Sequence, residues 1–336
     1  MRKLANPENF VVGVDLGGTK IYTAAADLRG QILAEVKIPT EAAGGLERVL
    51  ARVVASVRQV EREAGAGGRA GALGIGVPGP MDPFRGVVYQ APNLGWRDVP
   101  LKELLEERLG FPVYIDNDAN LAALGEHVLG AARGVDDVVY VTVSTGIGGG
   151  LILKGELYYG AFFGAGEIGH MTVDPRGPLC RCGNRGCLES LASGTAVARL
   201  AEELVEKGKG KGILKVAGSK KITARSVSLA AAAGDPEALA ILQKAGKSLG
   251  IGLANIVNLL NPALVVLGGG FMQSGPPLWQ AMEEELQQRV LPAARQRVRV
   301  VPASLGPRSG LLGAVVLAAG RLTGKTGKPG EKPVLE

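Results

Sequence analysis

All three cysteines of the chain lie within GHMTVDPRGPLCRCGNRGCLES (169–190), together with one of its only two histidines. Cys180-x-Cys182-x4-Cys187, with His170 ten residues earlier, is compact enough to be a metal site. One imidazole and three thiolates complete a tetrahedron with no open position, as a structural zinc site requires; a catalytic zinc keeps a vacancy for water. Glu167 stands just before this group and Glu189 within its end, which suggests a second role. From the residues alone the segment reads as a clip, as part of an active site, or as both.

A second candidate is VYIDNDAN (113–120), a strand ending in Asp116, Asn117 and Asp118 and running into a helix. Asn117 suits an N-cap and Asp118 the first helical turn, where a carboxylate meets the positive end of the dipole. The same placement suits a carboxylate that orients a hydroxyl and accepts its proton during phosphoryl transfer. The residues leave both readings open. His127, in the helix that follows, reads as structural or as a surface residue.

Three glycine loops complete the chemistry. GVDLGGTK (13–20) sets Asp15 at a strand end, with Gly17, Gly18 and Thr19 in the turn and Lys20 after it. Glycines let backbone N–H groups approach phosphate oxygens, and Thr19 and Lys20 add donors. A strand follows this loop, so it is not a Walker loop. STGIGGG (144–150) repeats the arrangement, and LGGGFMQSG (267–275) follows a very apolar strand, where its glycines would clear space for an adenine ring. Two loops that repeat one another suggest a phosphate chain held between two similar domains.

The elements that position these residues begin with an antiparallel meander over 10–38, a helix at 44–64, a strand at 72–77 and a strand at 112–117 leading into the NDAN helix. The order is β-β-β-α-β-α-β-α. A second strand, glycine turn and strand over 137–160 open a similar series, with helices at about 192–205, 224–233 and 235–260. A strand at 263–270, a helix at 276–291, a strand at 298–303 and a helix at 309–322 follow. Strands alternating with helices make an α/β protein with a duplicated architecture, whose ligands sit beyond the strand ends.

At 336 residues the chain is comfortable for two domains, and no long apolar run reads as a membrane helix. The N-terminus lacks the apolar region of a secretory signal, so a soluble cytoplasmic protein is expected. The net charge of +6 is concentrated in KGKGKGILKVAGSKK (207–221), which has six lysines and no acid. With only 6 Phe, 6 Tyr and 2 Trp in the chain, this reads as a solvated loop and not as a nucleic-acid groove. The tail 323–336 has the composition of a disordered end.

DLGGTK, GVPGP, NDAN, STGIGGG, GEIGH, CxCGxxGCxE and LGGG occur in that order over residues 10–320. In this the chain resembles the ROK family (bacterial repressors, open reading frames and sugar kinases), and most of all its ATP-dependent glucokinases. The resemblance implies a two-domain actin-like ATPase fold (sugar kinase/Hsp70/actin, ribonuclease H-like) with a cleft between duplicated domains. The smaller domain would span 1–120 plus the helix at about 309–322, and the larger 121–308. The resemblance also implies phosphate binding by Asp15, Gly17, Gly18, Thr19 and Lys20 and by Thr145, Gly146, Gly148 and Gly149, with Gly268, Gly269 and Gly270 near the adenosine. Asn117 and Asp118 would bind the sugar, Asp118 as catalytic base toward the 6-hydroxyl. Glu167, His170 and Glu189 would hold the other hydroxyls, with Gly79 and Asn93 nearby. His170, Cys180, Cys182 and Cys187 would bind zinc. SLGPRSGLLGA (304–314) departs from the pattern, with Arg308-Ser309 where acidic or small residues are usual.

If one nitrogen of His170 binds zinc, the other carries a proton and can present it to a sugar hydroxyl. The implied reaction is transfer from ATP with Mg²⁺ to a hexose, glucose foremost, giving the 6-phosphate in carbohydrate metabolism. Sugar binding would close the two domains and exclude water. Kinases for mannose, fructose, N-acetylglucosamine or N-acetylmannosamine are the alternatives, then a sugar-sensing regulator lacking its DNA-binding domain. About ten residues precede the first strand, too few for a helix-turn-helix, so no nucleic-acid partner is expected, and no membrane partner either. The resemblance implies a homo-dimer or homo-tetramer.

Overall fold

The computed structural model describes residues 10–65 and 69–324. The expected disordered tail lies, from residue 325 on, outside the described residues. The first strands are β1 (Phe10–Leu16), β2 (Lys20–Asp27) and β3 (Ile32–Pro39), an antiparallel meander in which Leu16 pairs with Ile21 across the first glycine turn. Helix α1 (Gly45–Glu63) follows and buries Val49, Leu50, Val53, Val57 and Val60, one apolar face at helical spacing. Next come β4 (Leu73–Val77), β5 (Met81–Asp82), β6 (Val87–Ala91), β7 (Trp96–Val99), α2 (Leu101–Leu109), β8 (Val113–Asn117) and α3 (Asp118–Leu129). β1, β4 and β8 are parallel neighbours, and the sheet order is β3-β2-β1-β4-β8.

The second series is β9 (Val138–Val143), β10 (Ile147–Leu153), β11 (Glu156–Leu157), α4 (Leu188–Ala192), α5 (Gly194–Glu206), α6 (Lys211–Ala217), α7 (Ala224–Ala232) and α8 (Pro236–Leu260). It ends in β12 (Leu264–Gly268), α9 (Pro276–Arg289), α10 (Pro292–Arg295), β13 (Arg299–Pro302) and α11 (Ser309–Thr323). Its sheet order is β11-β10-β9-β12-β13, the same sequence of meander and parallel crossovers as in the first sheet. The duplicated architecture is thus present strand for strand. Among the described residues no helix is long and apolar enough to cross a membrane.

Two elements differ from the sequence reading. A separate three-stranded sheet, β5-β6-β7, fills 81–99. Its strands of two to five residues carry no sustained alternation to read. The lysine-rich segment is not all loop: α6 occupies its centre and buries Ile213 and Ala217, while its lysines stay exposed. Two apolar contacts four residues apart suffice to fold a short helix onto a neighbour, although the composition is that of a solvated stretch.

The described residues form two compact units, one drawn from 10–138, 150–166 and 303–324, the other from 139–149 and 167–302. A boundary at 120 cuts through the first turn of α3. In the structure α3 stays whole with the first unit because α11 packs along it. Gly313 abuts the backbone oxygen of Leu121 and Gly125 that of Ser309, so closely that a side chain at either glycine would collide with the facing helix.

Candidate functional site

In the first unit, β1 ends in Asp15, whose carboxyl is pushed above the usual carboxylate range by burial, with Lys20 opposing the shift. The turn beyond it is closed by Gly17 N–H donating to Lys20 O (3.0 Å) and by Thr40 Oγ1 donating to Gly17 O (2.6 Å). Thr19 and Lys20 are exposed at its tip. Gly18 faces Asn93: a Cβ built on it would lie 2.9 Å from the Asn93 Cβ. The first glycine loop and Asn93 therefore touch.

Strand β8 delivers two acids into opposite environments. Asp116 is buried and surrounded by donors: Tyr159 Oη (2.6 Å), Asn120 Nδ2 (3.0 Å) and Asn117 N (2.7 Å). Burial raises its pKa, the hydrogen bonds opposing. It is an internal strut. Asp118 is exposed at the first residue of α3, its Oδ1 accepting from Ala119 N (2.9 Å). Asn117 caps the helix, accepting from Ala119 N and Asn120 N, and its Nδ2 donates to Gly79 O (3.3 Å). Gly79 has φ +102 and a Cβ there would lie 2.1 Å from Gln90 O, so only glycine fits this corner. Asn117 thus serves as cap and holds Gly79, which joins two of the sequence candidates. Asp15 and Asp118 flank one point of α11: a Cβ on Gly310 would lie 3.7 Å from the Asp15 carboxyl carbon and 3.8 Å from Asp118 O.

In the second unit, the ligand atoms of His170, Cys180, Cys182 and Cys187 all lie within 4.8 Å of one another. His170 Nδ1 is 3.7 Å from Cys180 Sγ, and Cys182 Sγ is 3.6 Å from Cys187 Sγ. Tetrahedral zinc with Zn–S of ~2.3 Å and Zn–N of ~2.0–2.1 Å sets its ligands about 3.6–3.8 Å apart, so the cluster fits that ion. The thiols stand in unequal surroundings: the Asn184 backbone N–H lowers Cys182 to about 7, and burial raises Cys187 to about 12. His170 turns its other nitrogen, Nε2, toward Glu167 at 3.9 Å.

Glu189 joins this cluster to the second glycine loop. Its Oε2 accepts from Ile147 N (2.9 Å), and a Cβ on Gly146 would lie 2.4 Å from that oxygen. Thr145, the neighbouring residue, lines a cavity of about 760 Å³. The cavity also takes in Gly194 and Thr195 at the start of α5, Thr223 to Arg225 at the start of α7, and Gly270, Phe271, Gln273 and Ser274. Two helix N-termini, capped by Ser193 and Thr223, thus border it, with Lys221 and Arg225 lining it too. Of the three glycines 268–270 only Gly270 lines the cavity. Gly268 and Gly269 instead pack on Tyr140 and the Val143 backbone. Gly148 and Gly149 are strand residues of β10. The α5 and α7 contributions were not singled out in the sequence; their signal is the pair of capping residues, Ser193 and Thr223, ahead of apolar helices.

Arg308 and Ser309, the departure at 304–314, have partners within the first unit. Arg308 bonds Tyr22 Oη (3.2 Å) and Glu35 (2.8 Å), and Ser309 bonds Glu126 (2.8 Å). His127 is buried, its Nδ1 without a hydrogen-bond partner among the described residues, and burial lowers its pKa.

The sequence model of the ROK family matches residues 11–321. A glucokinase from Thermotoga maritima is 37% identical over 320 residues, covering 95% of this chain and all of that protein. The crystal structure of a ROK hexokinase from Thermus thermophilus superposes with a TM-score of 0.81 at 40% identity, covering 94% of this chain and 99% of that one. A ROK family glucokinase from Streptomyces griseus, solved in complex with glucose and AMPPNP, gives 0.79 at 36% identity over 92% and 99%.

Proposed function

The chain belongs to the ROK family, and on that premise we propose that it is an ATP-dependent kinase that phosphorylates the 6-hydroxyl of a hexose, glucose foremost. The observation that carries this reading is Glu189. A carboxylate suited to sugar hydroxyls is hydrogen-bonded to the loop whose next residue lines the large cavity. Acceptor and donor groups therefore adjoin within one unit, which a sugar-binding module would not need.

The cavity takes the nucleotide, with backbone N–H groups of the Thr145–Gly146 loop and the starts of α5 and α7 toward its phosphates. Gly17, Gly18, Thr19 and Lys20 supply the phosphate contacts of the first unit, Asp15 standing behind them. Gly79, Asn93, Asn117, Glu167, His170 and Glu189 hold the sugar. Asp118 accepts the 6-hydroxyl proton as the oxygen bonds to the γ-phosphorus and the bond to the β,γ-bridging oxygen breaks, releasing ADP. Its place at the first residue of α3 fixes where it stands, which suits a transition state that asks mainly for positioning. Mg²⁺ comes with ATP and neutralises phosphate charge. His170, Cys180, Cys182 and Cys187 would hold zinc, which fixes the loop bearing Glu167 and Glu189 and does no chemistry.

The test is an initial-rate assay with ATP·Mg²⁺ and glucose, mannose, fructose, N-acetylglucosamine and N-acetylmannosamine, on wild type and Asp118→Asn. Glucose should give the highest kcat/KM. Asp118→Asn should retain glucose binding while kcat falls ~10²–10⁴-fold, the usual worth of a general base. Turnover of that variant near the wild-type rate would refute the assignment of Asp118, and no turnover of any sugar by wild type would refute the kinase reading.

A further inference from the structure

Glu126 is a fully buried carboxylate that the scheme above does not use. Five donors surround it. Oε1 accepts from Leu305 N (2.9 Å) and Ser309 Oγ (2.8 Å). Oε2 accepts from Ala131 N (2.9 Å) and from Ser304 N and Oγ (both 3.1 Å). Among the described residues no Lys or Arg forms an ion pair with it. A buried carboxylate without a cation is costly unless its lone pairs are filled, and here the donors fill them.

Three of these donors are backbone N–H groups that cannot rotate away, and four of the five belong to residues 304–309, the turn that starts α11. Glu126 therefore pins the start of α11 to α3, the helix whose first residue is Asp118. The pin is reinforced where Gly125 and Gly313 let the two helices touch backbone to side-chain-free backbone. One residue beyond the pinned turn, Gly310 lies beside both acids: a Cβ there would meet the Asp15 carboxyl carbon at 3.7 Å and the Asp118 backbone oxygen at 3.8 Å, ordinary van der Waals contact with each. We propose that Glu126 is a positioning residue: by fixing the 304–309 turn it sets the separation of Asp15, behind the first phosphate loop, from Asp118, the base. This rests on the kinase reading above.

Glu126→Gln keeps the volume and removes the acceptor pattern. Whichever way the amide is flipped, its NH₂ faces at least one backbone N–H: Leu305 on one side, Ala131 and Ser304 on the other. The experiment measures kcat, the KM for each substrate, and glucose affinity by calorimetry, on wild type, Glu126→Gln, Ser304→Ala and Ser309→Ala. The expected result is a kcat lowered at least tenfold in Glu126→Gln, with the glucose Kd within threefold of wild type and smaller kcat losses in the two serine variants. A folded Glu126→Gln whose kcat stays within twofold of wild type, even with a lower Tm, overturns the proposal and leaves Glu126 a stability residue. A kcat loss matched by an equal loss of glucose affinity overturns it too. If Glu126→Gln does not fold, the serine variants decide, and unchanged kcat in both overturns it. An inactive wild type refutes the kinase reading and the positioning role with it. An active wild type beside an unimpaired Glu126→Gln refutes only this inference.

Discussion

Glu189 has two oxygens with two employments, and two substitutions separate them. Its Oε2 is committed to Ile147 N at 2.9 Å, pressed against Gly146, while Oε1 is the oxygen that the proposed sugar contact would use. In Glu189→Gln the amide carbonyl replaces Oε2 and keeps the Ile147 bond, so the second glycine loop stays in place. The other position then carries an NH₂ where an anionic acceptor stood. A hydrogen bond to a charged group is worth about 1.5–3 kcal/mol, which at ~1.4 kcal/mol per decade predicts a glucose kcat/KM about 10–150-fold lower. The KM for ATP should stay near its wild-type value. Glu189→Ala removes both employments. Ile147 is buried, so its N–H would be left without a partner at a cost of about 1–3 kcal/mol. The loop beside Thr145 would loosen, and the KM for ATP should rise as well. Initial rates over a grid of glucose and ATP concentrations, with thermal melts as control, read both effects. An ATP KM unchanged in Glu189→Ala, or raised in Glu189→Gln with glucose kinetics intact, would refute the shared role of this residue.

The zinc site has a composition test and a functional one. Purified protein should carry close to one zinc per chain, and Cys182→Ser should lose it, with a lower Tm and a raised glucose KM as His170 and the flanking glutamates lose their anchor. A metal-free protein of full stability and normal KM would defeat that role. His127 gives a pH dependence whose sign is fixed by burial. Its folded pKa lies below the unfolded value of ~6.5, because burial disfavours the imidazolium more than Val135 and Asp136 favour it. Above that pH neither state holds the proton and stability is complete. As pH falls below ~6.5 the unfolded chain protonates first, and stability drops by at most about 1.4 kcal/mol per pH unit until the folded pKa is reached. Denaturant melts from pH 7.5 to 5 should show this slope, and His127→Phe should flatten it; identical slopes would remove His127 as the cause.

What the sequence disclosed and what it withheld follow from the range of the interactions involved. The meander, the α1 face and the repeat of the glycine loop were legible because each is written in local periodicity, and the shared strand order of the two sheets follows from that repeat. The β5-β6-β7 sheet was not, since two-residue pairings such as Met81 with Val88 leave no pattern. Nor was α6, whose lysines mask two buried residues. The Cys₃His cluster was legible because its ligands are soft, rare and close in sequence.

The acids show where such reading stops. Asp116 and Asp118 stand two residues apart at the same strand end, and either could be chosen as the base on composition. The strand's alternation turns one inward and the helix start turns the other outward, and only then do Tyr159, 43 residues away, and Asn120 identify Asp116 as a strut. Glu126 goes further. Four of its five donors lie 178 to 183 residues along the chain, and a glutamate on a helix reads as a solvated face until they are brought to it. The groups that touch ligands come in local motifs. The groups that hold those motifs at working distance need only be donors or acceptors of the right reach, and nothing in their types marks them out. For that reason the residues most informative to substitute next are the ones without a motif: Glu126 first, and Asp116, whose replacement by asparagine should be tolerated if Tyr159 can reverse its hydrogen bond and not otherwise.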